Sequence, residues 1–518
     1  MSAKNLKKLT LLLSLAFVAI LSLVACGTTG STGGSDQNTL TVAVQGNPGN
    51  PFDPHNSNDS ATSLLNVQMF ETLVFQTEDL EIVPMLAESF EQIDDVTWEF
   101  VIRDDVFFHN GEKLTVEDVA FSLDRGSTSN LVAEILGMIQ EVQVIDEHTV
   151  HIITEYPFAP LLNHLAHPAA SIVNKMDVEE VEAAGGVYGL DNPVGTGPFV
   201  FESFSSGDRT VFSRNENYWG EAPVFEELVV RTITDGSTRA MALETGEIDI
   251  SLDVVPAEVS RMDSNPDVEL LRRANLSTNY IGFNTQNEYL SDVRIRQAIS
   301  YAVDTEAIVT HIMENIGIPA QGPIGPNVWG FNENLHQYDV DFDRARELMA
   351  EAGYPDGGFS LSLWANSETQ ARIDIATNVA RVLEDELGIN VTINQVAWSE
   401  YLIATENGEA DMFILGWGTI TGDADYGLWS LFHSSSPAGA GNRSFYSNPE
   451  VDRLLELGRS TSGDERLQAY LDVQEIIVED APWVFINNGE VIAGTLLSVQ
   501  GFVLNPTNAH RFSNVHFE

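Results

Sequence analysis

The C-terminal half of this 518-residue chain predicts an α/β fold built on parallel strands. Three observations carry that expectation. A long helical stretch, residues 368–387, stops at Gly388, a residue free to take the left-handed conformation that closes helices. An alternating, strand-like segment, 390–396, follows it, and a second helical stretch, 399–406, comes next. A buried-type apolar run, 410–415, completes the rhythm. Strand–helix–strand units of this kind form parallel sheets, and ligands bind beyond the carboxyl ends of their strands. The segment after Leu415 is therefore a candidate site.

The chain opens on an address. Lys4, Lys7 and Lys8 precede an almost wholly apolar run from Leu9 to Val24, too short for a comfortable membrane span. It ends in Leu23-Val24-Ala25-Cys26, and Cys26 is the single cysteine of the chain, so no internal disulfide forms. This junction resembles the bacterial lipobox, which implies cleavage after Ala25 and lipidation of Cys26. The Gly- and Ser-rich stretch from Gly27 to Ser35 reads as a flexible tether. No later apolar run is long enough to cross a bilayer.

Next come strands over 39–44, 96–102 and 149–154, each alternating in polarity. Thr115 and Asp118 have the spacing of a capping box, opening a helix through Leu123. Residues 199–204 and 210–213 flank Ser205-Ser206-Gly207-Asp208 as a hairpin. A helix over 238–245 stops at Gly246, with a strand expected over 247–250. Asp292 caps a helix running through Tyr301, and residues 343–352 form a helix closed by Gly353. Asp339, Asp341 and Asp343 hint at a calcium loop, but Ala350 stands where its last ligand belongs, and a helix cap explains them better.

Composition narrows the function. With 25 basic and 77 acidic residues the chain carries −52, and about −55 once the three lysines of residues 1–25 are removed. That balance argues against nucleic acid or an anionic membrane surface as partner. The acidic residues are spread along the chain, as in a solvated surface suited to a saline or alkaline exterior. There is no nucleophile elbow, zinc helix or phosphate-cradling loop, and the 11 histidines are scattered. An enzyme is not expected, and neither is a cofactor or a bound metal.

Several motifs then resemble one family in its own order. They are Phe107-Phe-His-Asn-Gly111, Asn192-Pro-Val-Gly-Thr-Gly-Pro-Phe199, Arg214-Asn-Glu-Asn-Tyr-Trp-Gly220, Asp292 to Asp304, and Asp480-Ala-Pro-Trp-Val484. Together they resemble the extracellular solute-binding proteins, family 5, which serve importers of peptides, glutathione and nickel. The stretch Gly416 to Phe432 is most similar to the glutathione-binding type. The resemblance implies a periplasmic-binding-protein fold of class II, three-lobed (cluster C): two main lobes close on a hinge and a third is inserted. Its mapping is a signal peptide at 1–25, a tether at 26–37, lobe I at 38–83, 191–279 and 488–518, lobe II at 84–190, and lobe III at 280–487. Crossings between lobes I and III are expected near Tyr280–Asn284 and Ile486–Gly489.

The function implied is a monomeric lipoprotein on the outer face of the cytoplasmic membrane (in the periplasm of a Gram-negative cell). It captures a small peptide-like solute for the permease subunits of an ATP-driven (ABC) importer. A nickel or metal-chelate binder, or a secreted hydrolase, is the alternative. Asp423 and Asp425 are candidates for a solute ammonium, and each is equally a candidate helix cap. Peptide binders of the family place an aspartate where this chain has Ile420. Arg372 is the candidate for a solute carboxylate. Trp398, Trp417 and Tyr280 are candidate walls of the pocket, and the segment from Asn47 to His55 is a candidate face from lobe I.

Overall fold

A computed structural model describes residues 38–49, 52–57, 59–336, 338–439 and 441–518. Cys26, the signal segment and the tether lie outside the described residues. No helix among the described residues is long and apolar enough to cross a membrane.

Local chemistry sets most element ends as expected. Thr115 accepts from the Asp118 N–H while the Asp118 carboxylate accepts from the Thr115 N–H, opening helix Val116–Ser127. Such a reciprocal cap is worth about 1 kcal/mol. Asp292 caps Val293–Ala302, and Asp341 caps Phe342–Glu351, which accounts for the Asp339–Asp343 cluster. Gly388 closes Gln370–Leu387 at φ 64°. The hairpin pairs Phe199–Ser205 with Arg209–Arg214. One expectation fails: the strand foreseen over 247–250 is only Ile250–Ser251. The backbone N–H groups of Glu247 and Ile248 are turned back onto Ala242 O, finishing helix Gly236–Glu244 instead of entering the sheet.

The main sheet has 11 strands and is open and mixed. One flank holds the foreseen parallel unit: Asn390–Val396 and Met412–Gly418 both pair in parallel with Ser360–Asn366. Two long strands, Val268–Phe283 and Trp483–Leu496, run antiparallel through the middle. On their far side lie Ile250–Ser251, Thr39–Val44, Glu227–Thr232 and the hairpin. The two long strands thus belong to both flanks. Their register shifts between Ala274/Thr278 and again between Asn279/Tyr280. Such irregularity raises local twist. Amides fill the crossing: Asn279 Nδ2 donates to Asn487 Oδ1 (3.1 Å), and Asn488 Nδ2 donates to Thr278 Oγ1 (3.0 Å).

Buried apolar residues group accordingly. One core joins residues from 40–70, 173–252 and 491–515, and is called lobe I below. A second packs the four-stranded antiparallel sheet of Ala87–Gln92, Thr97–Ile102, Thr149–Thr154 and Ile139–Val144 under helix Val116–Ser127, and is called lobe II. Two more cores lie on either face of the parallel flank, lobe III.

Candidate functional site

The parallel flank brings several candidates to one end of the sheet. Arg372 lies in the first turn of the helix that follows Ser360–Asn366. Trp398 starts the helix that follows Asn390–Val396. Trp417 is in the last residues of Met412–Gly418, and Tyr280 sits on the adjoining crossing strand opposite Leu415. These are the carboxyl ends of three parallel neighbours, the place such sheets offer to ligands.

Arg372 is half-buried, and its guanidinium lies 5.8 Å from the Trp398 ring centroid. Burial works against its charge and lowers its pKa, against the opposing influence of the Tyr401 and Tyr280 hydroxyls. It makes no ion pair among the described residues. Trp398 stacks on Tyr401 (5.7 Å, 16°) and remains 37% exposed, so it is not part of the core. Tyr280 is fully buried and lies flat on Trp483, and its hydroxyl has no hydrogen-bond partner. Burial raises that phenol's pKa, opposed by Arg443 and Arg372 nearby. Arg443 also lacks a carboxylate: it donates to Leu402 O (3.0 Å) and Thr405 Oγ1 (3.1 Å). Trp417 Nε1 is likewise buried without a partner, beside the ring of Tyr426 (5.4 Å).

Asp423 and Asp425 stand elsewhere and are already engaged. Asp423 caps helix Ala424–Phe432, accepting from the Asp425 N–H (2.9 Å), and its Oδ1 also takes Arg466 Nη2 at 2.6 Å. Asp425 has no exposed surface and accepts from Arg459 Nε (2.8 Å) and Nη2 (3.0 Å) and from the Tyr470 hydroxyl (3.1 Å). Burial alone raises the Asp425 pKa, but the Arg459 charge outweighs it and the net pKa lies below the usual carboxylate range. Both carboxylates are thus neutralised by protein cations 34 and 43 residues further on. The helix-cap alternative holds for Asp423.

The same loop touches the other lobes. Thr421 O accepts from Gln76 Nε2 and from Asn163 Nδ2, both on elements of lobe II, each at 3.0 Å. Ser430 Oγ donates to Glu134 of lobe II, whose pKa burial raises. Ile420 lines a cavity where all three lobes meet. In the Asn47–His55 segment, Asp53 instead grips Arg125 (2.8 and 2.6 Å) and His55 bonds Ser171 O, tying lobe I to lobe II.

Sequence reasoning missed Glu71, where two of the motifs converge. Its buried carboxylate accepts from Thr196 Oγ1 (2.8 Å), Tyr218 Oη (2.7 Å) and Trp219 Nε1 (2.8 Å). Burial raises its pKa, moderated first by Trp219 and then by the Arg511 charge. The neighbouring Gly195 packs so tightly that a Cβ would stand 2.1 Å from Met69 O. The spacing of the motifs carries no sign of their meeting on a residue just past a helix end, more than 100 residues earlier.

The family model described as bacterial extracellular solute-binding proteins, family 5 (middle region) matches residues 81–439. The dipeptide-binding protein of Escherichia coli K12 is 30% identical, over 88% of this chain and 90% of its own length. Heme-binding protein A of Haemophilus influenzae is 31% identical, over 86% of each. Glutathione-binding GsiB proteins of Pectobacterium, Salmonella and Escherichia match at 26–27%. Among solved structures, the ABC transporter-associated periplasmic binding protein DppA of Helicobacter pylori, in complex with the peptide STSA, superposes with a TM-score of 0.81. It is 29% identical, covering 93% of this chain and 98% of that one. The identities single out no one solute.

Proposed function

Because the chain belongs to the bacterial extracellular solute-binding proteins of family 5, whose members bind substrates for ABC importers and are not enzymes, we propose that its solute is small and peptide-like. The solute is enclosed between the lobes and presents a carboxylate to Arg372. One observation carries this reading. Arg372 and Arg443 flank the unpartnered Tyr280 hydroxyl with no carboxylate between them, in a chain of net charge −52. A partly desolvated guanidinium left unpaired is costly, and a solute carboxylate supplies the missing partner. Trp398 and Trp417 offer flat walls with N–H donors, the usual lining of such pockets.

The roles first given to Asp423 and Asp425 change in this reading. Their charges are spent on Arg466 and Arg459, so they position the loop that bears Ile420. A free α-ammonium finds no ready partner there, which favours a peptide-like solute whose amino end is modified or blocked over an ordinary free peptide. Solute contacts on both main lobes shift the population toward the closed form, which the permease then meets. A lipid on Cys26 holds the protein at the membrane surface, a single short anchor of acyl chains.

The test is calorimetric titration with reduced and oxidised glutathione, short free peptides and a nickel chelate. One peptide-like class binds, and Arg372→Ala weakens it by about tenfold or more with the melting temperature unchanged, the loss of one charge-assisted hydrogen-bonded pair. Binding indifferent to Arg372→Ala, or confined to the nickel chelate, overturns the reading.

A further inference from the structure

The cavity beside Ile420 has a polarity of its own. Its wall comes from three lobes: Phe70, Asn505 and Arg511 of lobe I, Phe75, Gln76 and His167 of lobe II, and Ile420 of lobe III. It measures about 30 Å³, room for roughly two water-sized oxygens. Among the described residues no aspartate or glutamate lines it, although the chain has 77 of them. Its charged wall residue is Arg511.

Arg511 is held without being neutralised. Its guanidinium lies 4.8 Å from the Phe75 ring centroid and Nη2 is 3.9 Å from Met85 Sδ. It makes no ion pair with any described residue. Glu71 lies near enough to feel its charge, but the Glu71 oxygens are occupied by Thr196, Tyr218 and Trp219. The rest of the wall adds donors. His167 Nδ1 accepts from the Ala169 N–H (3.1 Å), and burial keeps the ring neutral, so its proton sits on Nε2. Asn505 Oδ1 is taken up by the Thr507 N–H and hydroxyl, leaving its amide N–H groups for other work.

A guanidinium, an imidazole N–H and a carboxamide N–H around a space of two oxygens suit a carboxylate and repel an ammonium. We infer that this cavity is a second anion subsite, and that the solute bears a carboxylate at the end opposite the one held by Arg372. The inference rests on the solute-binding reading above and narrows it to peptide-like diacids, with both ends anionic. Closure assembles the subsite, because Ile420 and His167 reach it from different lobes and the adjoining Thr421 O is bonded twice to lobe II.

The experiment titrates the protein with N-succinyl-Ala-Ala, N-acetyl-Ala-Ala and Ala-Ala. These share a C-terminal carboxylate and differ at the other end in charge: anionic, neutral and cationic. The succinyl compound binds at least about tenfold more tightly than the other two, the value of one charge-assisted contact. Arg511→Gln abolishes that preference and Arg511→Lys keeps part of it. Ile420→Asp, which puts a carboxylate on the wall without touching Arg511, weakens the succinyl compound and improves Ala-Ala. Equal binding of the three, or a preference that survives Arg511→Gln in a variant that still unfolds cooperatively, overturns the diacid subsite and leaves the peptide-like reading standing. Silence from all three compounds overturns both.

Discussion

Arg459 grips Asp425 through two hydrogen bonds, from Nε at 2.8 Å and Nη2 at 3.0 Å, while its guanidinium lies 3.5 Å from the Trp429 ring centroid. Asp425 is walled off from water and Arg459 is largely covered, so each charge depends on the other. Asp425→Ala strands Arg459 and is expected to cost about 3–5 kcal/mol in urea denaturation. The acid limb carries the same signature. The folded pKa of Asp425 lies below 3.8, so its contribution is complete above that value and disappears as pH falls through the folded pKa. A loss near zero in Asp425→Ala would mean that the pair is not formed in solution.

Buried histidines set a second pH dependence. His109 and His510 are held neutral, with pKa values drawn down from 6.5 to about 4 by burial. Each accepts a backbone N–H at Nδ1: Gly195 N at 3.3 Å and Asn505 N at 3.0 Å. As pH falls below about 6.5 the unfolded chain binds these protons first, and stability drops until about pH 4, by about 3 kcal/mol per residue. His510→Gln keeps an acceptor for Asn505 and should remove one proton from the slope of stability against pH in that window. An unchanged slope would show that His510 titrates normally in the fold.

A single carbonyl ties lobe III to lobe II through two donors. Thr421 O accepts from both Gln76 and Asn163. Asn163→Ala removes one of the two donors and about 1 kcal/mol, which moves the closed-to-open ratio about fivefold toward open. Small-angle scattering of the solute-free protein should report a larger radius of gyration, and solute affinity should fall by a similar factor. A scattering curve superimposable on the parent's would deny this contact a share in closure.

What the sequence revealed was local chemistry. Thr115 with Asp118, Asp292 and Asp341 mark helix starts through side chains acting within one turn, and Gly388 marks a helix end through its left-handed backbone, so local spacing suffices. The parallel unit around Arg372, Trp398 and Trp417 was legible for the same reason. Asp423 was readable as a cap, but its Arg466 partner was not, because helices carry arginine on any surface and only packing selects one. Tyr280 was placed on the crossing strand, yet the length of the two crossing strands was hidden. Their middles are rich in asparagine, which ordinarily marks turns, and here those amides bond one another across the strand pair. Glu71 and Arg511 were illegible: a buried acid and a C-terminal cation acquire meaning only when distant segments fold onto them.

The two crossing strands also order events in time. Tyr280 pairs with Phe485 and Val268 with Leu496, so the first strand must wait for a partner made roughly 200 residues later. At ordinary synthesis rates that delay is on the order of ten seconds or more. The edge of the 16-residue strand that faces Trp483–Leu496 is therefore unpaired throughout the making of lobe III, and this seam of the central sheet closes only after the second crossing strand exists.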